Sequence, residues 1–493
     1  MMESLISFRS FLTLLLSVVD LSKGLHHGPL TLLISFDGFR WDYLQKVETP
    51  NFDVLISDGS FVPDGIVPTF ITKTFPNHFT IATGLYEESH GIVANNMYDP
   101  VLNEKFHIGG EDSTSSKWWD VGAEPIWVTN QKHGGRTGVY YWPGSETEIM
   151  GILPNRYKKY SDTTPFETRI DGVIDWFTDE EEPINLGLLY FNEPDHTGHT
   201  SGPESDEILD VIRMCDDTIG YLIQKLQEAD LYEKINILIT SDHGMTELSP
   251  DRLIQLDDYV NPDLYDLVDS SPTAAIYPFD DRNTMAIYNA LLAARHPNMT
   301  VYLKDSIPDR FHYKHNRRIM PIIAVADEGW CIVDDKTTWL NDTEIEGGHG
   351  YDNRYKSMHP FFIAHGPAIK RNFTLEQFNN VDIYPLICKI MEIEAAPNNG
   401  SLAIAGTMLR SHDSHGHSSH HSVKPITSSK TLIIVKTFLY VPGISIAGGI
   451  ALIAAILLTA MCITHRSYRL KDHVQDVPDK ESKQALLSEL EDA

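Results

Sequence analysis

Three aspartates and three histidines are spaced along the chain in a way that suits a metal centre. They are Asp37, Asp195, His199, Asp242, His243 and His349. Zinc binds carboxylate oxygen and imidazole nitrogen, and two zinc ions roughly 4 Å apart can hold the attacking and leaving oxygens of an in-line displacement. The six side chains divide evenly between two ions. The set therefore predicts a site with two Zn²⁺ ions for phosphoryl transfer.

Each of these residues alone also has an ordinary structural explanation. An aspartate after a strand is commonly a turn or helix-cap residue, and Asp-His-Gly is often a simple loop. The pairs favour the metal site, because His243 directly follows Asp242 and His199 lies four residues after Asp195. Each short segment thus offers both kinds of ligand to one place.

The elements that must position these residues are apolar segments of strand length. Residues 31–36, 186–191 and 235–241 are continuous apolar runs, and an acid of the set follows each of them. Apolar residues recur at helical spacing from Ile208 to Leu226. Strands that alternate with helices predict an α/β fold whose mixed or parallel sheet is flanked by helices, and such sheets bind ligands at the carboxyl ends of their strands.

Thr74 is the candidate nucleophile. It precedes Pro76, a residue favoured in the first turn of a helix, so a helix is predicted from this point to Ala82. The amino terminus of a helix stabilises a phosphate group. A helix-capping role for Thr74 is the simpler alternative, and it is compatible with a catalytic one.

Five segments of the chain carry a specific resemblance. They are SFDGFRWDY (35–43), TKTFPNH (72–78), TGLYEESHGIVANNMYD (83–99), SDHGM (241–245) and GHGYDN (348–353). In order and spacing they resemble the ectonucleotide pyrophosphatase/phosphodiesterase family, most of all its short, membrane-anchored members. The resemblance covers roughly residues 28–405 and implies a single catalytic ectodomain with an alkaline-phosphatase-like α/β fold, two zinc ions and a threonine nucleophile.

The same resemblance assigns roles to individual residues. One zinc would be held by Asp195, His199 and His349, and the other by Asp37, Asp242 and His243. Thr74 would be coordinated to zinc, attack phosphorus and carry the nucleotidyl group before water releases a nucleoside 5′-monophosphate. Asn95 corresponds to the asparagine that binds a phosphoryl oxygen. Because that side chain is neutral, it suits a diester better than a monoester, which carries more negative charge.

The resemblance also points to a small nucleotide as the substrate. Phe75 and Tyr160 occupy the positions of the two rings that enclose the base in nucleotide-cleaving relatives, although core packing explains them equally well. The segment 142–167 is retained, and it is shortened in the lysophospholipase D relative. Two alternatives remain: a choline or lysophospholipid phosphodiesterase, and a cell-surface receptor or adhesion ectodomain with weak catalysis.

Composition agrees with a large acidic ectodomain. The chain has 493 residues, 42% of them hydrophobic, which is ample for a core. The formal net charge is −30. That charge argues against binding of nucleic-acid polymers, because their phosphates would be repelled.

Both ends of the chain carry targeting features. Residues 1–24 resemble a secretory signal peptide, and residues 438–464 are apolar and long enough to cross a bilayer, with basic residues following. We therefore expect a type I protein of the plasma membrane with residues 465–493 in the cytosol. Residues 406–437 form a His/Ser-rich stalk, for which a solvated linker is preferred over a metal-binding tract. The Leu486-Leu487 pair suggests endosomal routing, and a secreted form is the other alternative.

Sequons and cysteines fit this location. Glycosylation is predicted at Asn298, Asn341, Asn372 and Asn399, each followed by a threonine or serine two residues on. Cys215, Cys331 and Cys388 lie on the predicted outer side. Three cysteines allow one disulfide at most, and the sequence does not assign it.

Overall fold

The computed structural model describes residues 28–334 and 346–410. Within these ranges no helix combines the length and the apolar character needed to cross a membrane. The predicted signal peptide, the segment 438–464, the cytosolic tail and Asn341 all lie outside the described residues.

The centre of the fold is an eight-stranded sheet of mixed direction. Its spatial order is β18-β2-β17-β8-β1-β7-β5-β6. The strands are β1 (Leu30–Phe36), β2 (Ser60–Phe61), β5 (Thr137–Tyr140), β6 (Arg156–Lys158), β7 (Leu186–Phe191), β8 (Ile235–Thr240), β17 (Phe362–His365) and β18 (Phe373–Thr374). β1 runs parallel to both β7 and β8, while β17 is antiparallel to β8. The three predicted strands are therefore confirmed, and they are neighbours in the sheet.

The remaining strands form smaller sheets. An antiparallel sheet of order β11-β12-β14-β13 contains Tyr265–Asp269, Thr273–Pro278, Ile322–Ala326 and Met299–Leu303. Three two-stranded pairs are β3 (Asn96–Asp99) with β4 (Glu104–His107), β9 (Thr246–Glu247) with β16 (Gly347–Gly348), and β10 (Leu253–Gln255) with β15 (Cys331–Val333).

Ten α-helices occur in the described residues. In chain order they are α1 (Pro50–Ser57), α2 (Thr74–Thr83), α3 (Glu87–His90), α4 (Ser116–Trp119), α5 (Ile126–Lys132), α6 (Phe166–Thr178), α7 (Asp195–Ser201), α8 (Asp206–Glu228), α9 (Thr284–Ala294) and α10 (Ile383–Ile390). The helix predicted from the apolar spacing of residues 208–226 is α8. Its buried positions follow that spacing, from Ile208 through Cys215 to Leu226.

Alternate residues of the central strands supply a core on each face of the sheet. Leu33 of β1 packs in a cluster with Phe79 of α2, whereas Ile34 packs on the opposite side with Ile212 of α8. Successive side chains of a strand point to opposite faces, so a strand covered by helices on both sides must be apolar throughout. The architecture is the predicted α/β fold with helices on both faces of a mixed sheet.

Ordered packing continues to Arg410, beyond the boundary set at residue 405 from sequence. Met408 is fully buried in the main core. The Lys370 N–H donates to the Met408 carbonyl, and the Arg410 N–H donates to the Ala368 carbonyl. This segment was not predicted because it has no periodic apolar pattern.

The three cysteines of the described residues are separate from one another. Cys215, Cys331 and Cys388 are all free and buried. The one disulfide that the cysteine count permitted is therefore absent from the described residues.

Candidate active site

The parallel strands bring the predicted acids to one edge of the sheet. Asp37 follows β1, Asp195 begins α7 a short loop after β7, and Asp242 follows β8. Because β7 and β8 flank β1, the three carboxylates meet where these strands end, as predicted.

The first set of candidate ligands is Asp195, His199 and His349. Asp195 Oδ1 lies 3.5 Å from His199 Nε2 and 3.6 Å from His349 Nε2. His199 is placed beside Asp195 because one turn of α7 separates them. All three ligand atoms lie within 4.8 Å of one another, a spacing that fits one metal ion.

The second set centres on His243. Its Nε2 lies 3.0 Å from Asp242 Oδ2 and 3.5 Å from Asp37 Oδ1. Asp195 also lies within 4.8 Å of Asp37 and His243 by ligand atoms, so the two sets adjoin. The structure therefore brings all six predicted ligands into one cluster.

The three histidines present the same nitrogen to the cluster. The Nδ1 of each lies 2.9 Å from a backbone carbonyl oxygen, and the pairs are His199 with Gly347, His243 with Gly244, and His349 with Thr72. A carbonyl only accepts, so each Nδ1 carries a proton, and in the neutral ring each Nε2 keeps its lone pair. This outer hydrogen bond is the usual device that orients a metal-binding histidine.

Three buried oxygens of the cluster have no hydrogen-bond partner in the described part of the chain. They are Oδ1 of Asp37, Oδ1 of Asp195 and Oδ2 of Asp242. Unpaired buried carboxylate oxygens are expensive, and metal coordination is one of the few ways to satisfy them. The donor set, carboxylate oxygen with imidazole nitrogen, is the one that zinc binds. The residues present therefore fit a divalent metal.

The pKa shifts of the aspartates also indicate that this cluster needs a nearby positive charge. Burial raises the pKa of Asp37 well above its usual range, and the nearby Asp242 and Asp195 raise it further. Burial also opposes ionisation of Asp242, but His243 and His78 hold the pKa of Asp242 below its ordinary value. A bound dication would reverse the penalty on Asp37, since it lies among like charges.

Thr74 is the first residue of α2 and lies at the edge of the cluster. Its Oγ1 is 3.4 Å from His243 Nε2. Lys73 occupies the capping position before the helix, and no side chain caps it. The helix begins where it was predicted, and Thr74 has no capping role.

Asn95 contacts the same helix terminus. Its Oδ1 accepts a hydrogen bond of 2.9 Å from the Phe75 N–H. Because the amide oxygen is engaged, the Nδ2 group is left to donate. A neutral donor beside the threonine is suited to a phosphoryl oxygen.

A cavity of about 360 Å³ opens beside Thr74. Its walls include Phe75, Trp119, Tyr141, Tyr160 and Tyr190. The Phe75 ring packs 5.7 Å from Trp119, and the Tyr160 ring lies 5.2 Å from Tyr141. Tyr160 is half exposed, so its ring is available to a ligand. The structure brings both predicted aromatic residues to one cavity that Thr74 also lines.

Two residues that contact the cluster were not singled out from the sequence. The buried His78 lies one helical turn after Thr74, with Nδ1 2.8 Å from the Thr74 carbonyl oxygen and Nε2 2.9 Å from Ser35 Oγ. The Tyr190 hydroxyl donates to Asp37 Oδ2 at 2.6 Å. The helical spacing from Thr74 was a usable signal for His78. No sequence signal pointed to Tyr190, because it lies within an apolar run that simply predicts a β-strand.

The sequons that the structure describes differ in exposure. Asn372 and Asn399 are exposed, whereas Asn298 is half-buried and its Nδ2 donates to Asp327 Oδ2 at 3.3 Å. The Asn399 side-chain oxygen accepts from the Tyr86 N–H, which leaves its Nδ2 free for a glycan. Glycosylation at these positions stays a prediction.

The fold and the site define a metallo-phosphodiesterase of alkaline-phosphatase-like architecture. Residues 31–352 match the family described as type I phosphodiesterase/nucleotide pyrophosphatase. The chain belongs to this family, and it is a hydrolase of the nucleotide pyrophosphatase/phosphodiesterase class.

Individual relatives agree with this assignment. The human ectonucleotide pyrophosphatase/phosphodiesterase family member 5 is 49% identical over 77% of this chain and 78% of its own length. The Xenopus laevis bis(5′-adenosyl)-triphosphatase enpp4 is 44% identical over 81% of this chain and 87% of its own length. The expected likeness to the short members of the family is confirmed.

The chain is also similar to solved structures of this family. One is murine ectonucleotide pyrophosphatase/phosphodiesterase 5, an inactive threonine-to-alanine variant in complex with AMP. It is 47% identical with a TM-score of 0.74, and the match covers 78% of this chain and all of that one.

Proposed function

We propose that this protein is a two-zinc ecto-phosphodiesterase that cleaves small nucleotides and releases nucleoside 5′-monophosphates. Dinucleotides, NAD-like compounds and nucleoside polyphosphates are the substrate class. The observation that carries the proposal is the position of Thr74, which lies both 3.4 Å from His243 of the metal cluster and in the wall of the aromatic cavity.

The ligand sets divide as the resemblance implies. Asp195, His199 and His349 would hold one ion, and Asp37, Asp242 and His243 the other. Two divalent ions would supply Lewis-acid stabilisation of the reacting oxygens. In support, the first triad already lies within 4.8 Å, and one carboxylate oxygen of each aspartate lacks a hydrogen bond in the described residues.

The protein's own residues account for the covalent step. Thr74 Oγ1 attacks phosphorus, so that a Thr74–phosphorus bond forms and the bond to the leaving oxygen breaks. Asn95 donates to a phosphoryl oxygen through Nδ2, and the amino terminus of α2 favours the same negative charge. Water then cleaves the nucleotidyl-threonine. A threonine-to-alanine change that makes the murine relative inactive supports this role.

The aromatic cavity supports a nucleoside as the recognised group. Phe75 and Tyr160 both line it, and neither ring packs face to face on another side chain in the described residues. A flat base can stack on either ring. The names of two similar proteins agree, one a bis(5′-adenosyl)-triphosphatase and the other bound to AMP.

The proposed location is the plasma membrane, with the catalytic domain outside the cell. The apolar stretch 438–464 and the basic residues after it support a type I topology. Truncation before Thr431 is expected to give a secreted, glycosylated and active enzyme, because no proposed ligand lies beyond His349. A truncated protein that is secreted and folded but inactive would contradict this domain boundary.

A substrate panel tests the function. Diadenosine triphosphate, NAD and glycerophosphocholine are offered to the purified zinc-loaded protein, with Thr74→Ala as the blank. We expect AMP from the first two substrates and little turnover of the third. Preferential cleavage of glycerophosphocholine would indicate a choline phosphodiesterase instead, and no turnover of any substrate would favour a receptor or adhesion role.

A further inference from the structure

Arg169 is a buried cation that the catalytic scheme does not use. It lies in the first turn of α6 and is fully buried. No carboxylate pairs with its guanidinium in the described residues, although a buried charge is normally paired. Burial lowers the pKa of Arg169, yet an arginine keeps its charge in proteins. Burying this charge without a carboxylate costs free energy, so other interactions must stabilise the guanidinium.

Neutral acceptors from three separate segments provide that arrangement. Arg169 Nε donates to the Thr164 carbonyl at 3.1 Å, Nη1 donates to the Tyr190 carbonyl at 3.0 Å, and Nη2 donates to Asn192 Oδ1 at 3.1 Å. Only a guanidinium offers donors in a planar fork that can satisfy three such acceptors at once. The centre of the guanidinium also lies 5.1 Å from the Tyr141 ring and 4.8 Å from the Phe166 ring.

The three bonded segments surround the proposed active site. Tyr190 donates to Asp37, and its ring is 6.2 Å from Tyr160. Asn192 belongs to the loop that leads to Asp195. Thr164 follows Tyr160 in the segment between β6 and α6, and its hydroxyl is 2.8 Å from the Tyr141 hydroxyl. Arg169 therefore joins the wall of the cavity to the end of the strand beside the metal cluster.

These three segments do not depend equally on Arg169. Tyr190 is fixed within β7, which is paired on both sides by β1 and β5. The segment that carries Tyr160 lies beyond β6, the edge strand of the sheet. Loss of the guanidinium should therefore displace the Tyr160 wall more than the metal cluster, because a sheet interior is held by many more bonds than a surface segment.

We propose that Arg169 is a positioning residue for the nucleoside, which sets the distance between the Tyr160 wall and Thr74. The inference rests on the proposed function, because it assumes that a base enters the aromatic cavity. Arg169 lies outside the cavity, and through the Tyr160 wall it affects nucleoside affinity rather than bond cleavage.

The test compares two substrates in the full-length, zinc-loaded protein. Arg169→Met is expected to raise KM for diadenosine triphosphate about 5- to 150-fold, the range for loss of one base–aromatic stack. kcat/KM for bis(4-nitrophenyl) phosphate, which has no base, should change less than about threefold, well under the lower end of that range. Zinc content should stay at the wild-type value. Arg169→Lys should give an intermediate KM, because one ammonium group cannot satisfy three separated acceptors.

The control is Phe177→Leu, which weakens the packing of the same helix and leaves the guanidinium in place. It should lower Tm without separating the two substrates. If Arg169→Met does not fold, Arg169→Lys answers the same question, since it keeps a buried charge but cannot satisfy all three acceptors. Equal losses on both substrates in the Arg169 variant that folds would overturn the inference.

Assays of the wild-type protein distinguish failure of the proposed function from failure of the positioning role of Arg169. If it cleaves neither diadenosine triphosphate nor NAD and binds no AMP, the proposed function fails. If it cleaves both and the Arg169 variants lose activity equally on every substrate, only the positioning role of Arg169 fails.

Discussion

The Nε2 atoms of His199 and His349 lie 3.1 Å apart, and no hydrogen bond between neutral rings can explain this distance. The Nδ1 atom of each ring faces a backbone carbonyl, so in the neutral rings both Nε2 atoms carry lone pairs. Two lone pairs at this distance repel unless a cation or a proton lies between them. Burial, with His243 and His199 nearby, lowers the pKa of His349 well below its usual value, which disfavours the proton. A metal ion is the better explanation.

Metal removal should abolish activity. Chelation followed by desalting is expected to remove about two zinc ions per chain and to reduce nucleotide hydrolysis to the blank, because the reacting oxygens lose their stabilisation. Elemental analysis and a hydrolysis assay on the same samples measure this, and added zinc should restore turnover. Full activity in a protein shown to be metal-free would contradict the proposed mechanism.

Replacement of the nucleophile should separate chemistry from metal binding. Thr74→Ala removes the attacking oxygen and leaves all six ligands, so every phosphodiester should be cleaved several orders of magnitude more slowly, as in other nucleophile deletions. Zinc content should match the wild type. The control is Thr83→Ala at the end of the same helix, where the hydroxyl donates to the Phe79 carbonyl at 2.7 Å and accepts from the Leu85 N–H at 3.3 Å. Retained activity in Thr74→Ala would refute the covalent route.

Phe75 should contribute to nucleotide binding and not to bond cleavage. Phe75→Ala is expected to cost about 1 to 3 kcal/mol of nucleotide binding through the lost stack. An aryl diester without a base should be affected much less. KM and kcat for both substrates measure the difference, and Phe373→Ala, another half-buried phenylalanine, is the control. Equal losses on both substrates would show that Phe75 supports the fold or Thr74 itself.

The thiols of Cys215, Cys331 and Cys388 should be unreactive until the protein unfolds. Burial raises the pKa of Cys388 to about 12 and raises that of Cys331, so little thiolate is present at neutral pH. Iodoacetamide should add nothing to the native truncated protein, as measured by intact mass, and should label Cys215, Cys331 and Cys388 in denaturant. Reductant should leave Tm unchanged. A mass that reveals a disulfide would contradict the structure.

Glu87 should make stability depend on pH. Burial raises its pKa well above the ordinary value, and its Oε2 has no partner in the described residues. A raised folded-state pKa means that the stability contribution is complete below the unfolded value and is lost as the pH rises through the folded value. Glu87→Gln mimics the protonated side chain.

The measurement is Tm from pH 5.5 to pH 8.5, with zinc held constant. The Tm of Glu87→Gln should exceed that of the wild type by a margin that grows with pH. Glu111→Gln, at an exposed position, should leave the profile unchanged. Parallel profiles for Glu87→Gln and the wild type would show that Glu87 does not change protonation on folding.

Local sequence patterns were enough to predict the elements that carry the candidate site residues. The apolar runs before Asp37, Asp195 and Asp242 are strands, because a strand covered on both faces must be apolar throughout, a local property of composition. Pro76 likewise predicted the start of α2 at Thr74, because proline is favoured in the first turn of a helix. These patterns, together with the family motifs, indicated every residue of the proposed metal site.

The way in which these elements meet was visible only in the folded chain. Strand order placed β1 between β7 and β8, and that order depends on contacts between residues more than 150 positions apart, as in the Gly38 N–H bond to Asp242. The roles of Tyr190 and Arg169 depend on hydrogen bonds to partners that no local pattern encodes. Periodicity reports which face of an element is buried, but not which distant polar group a buried side chain will meet.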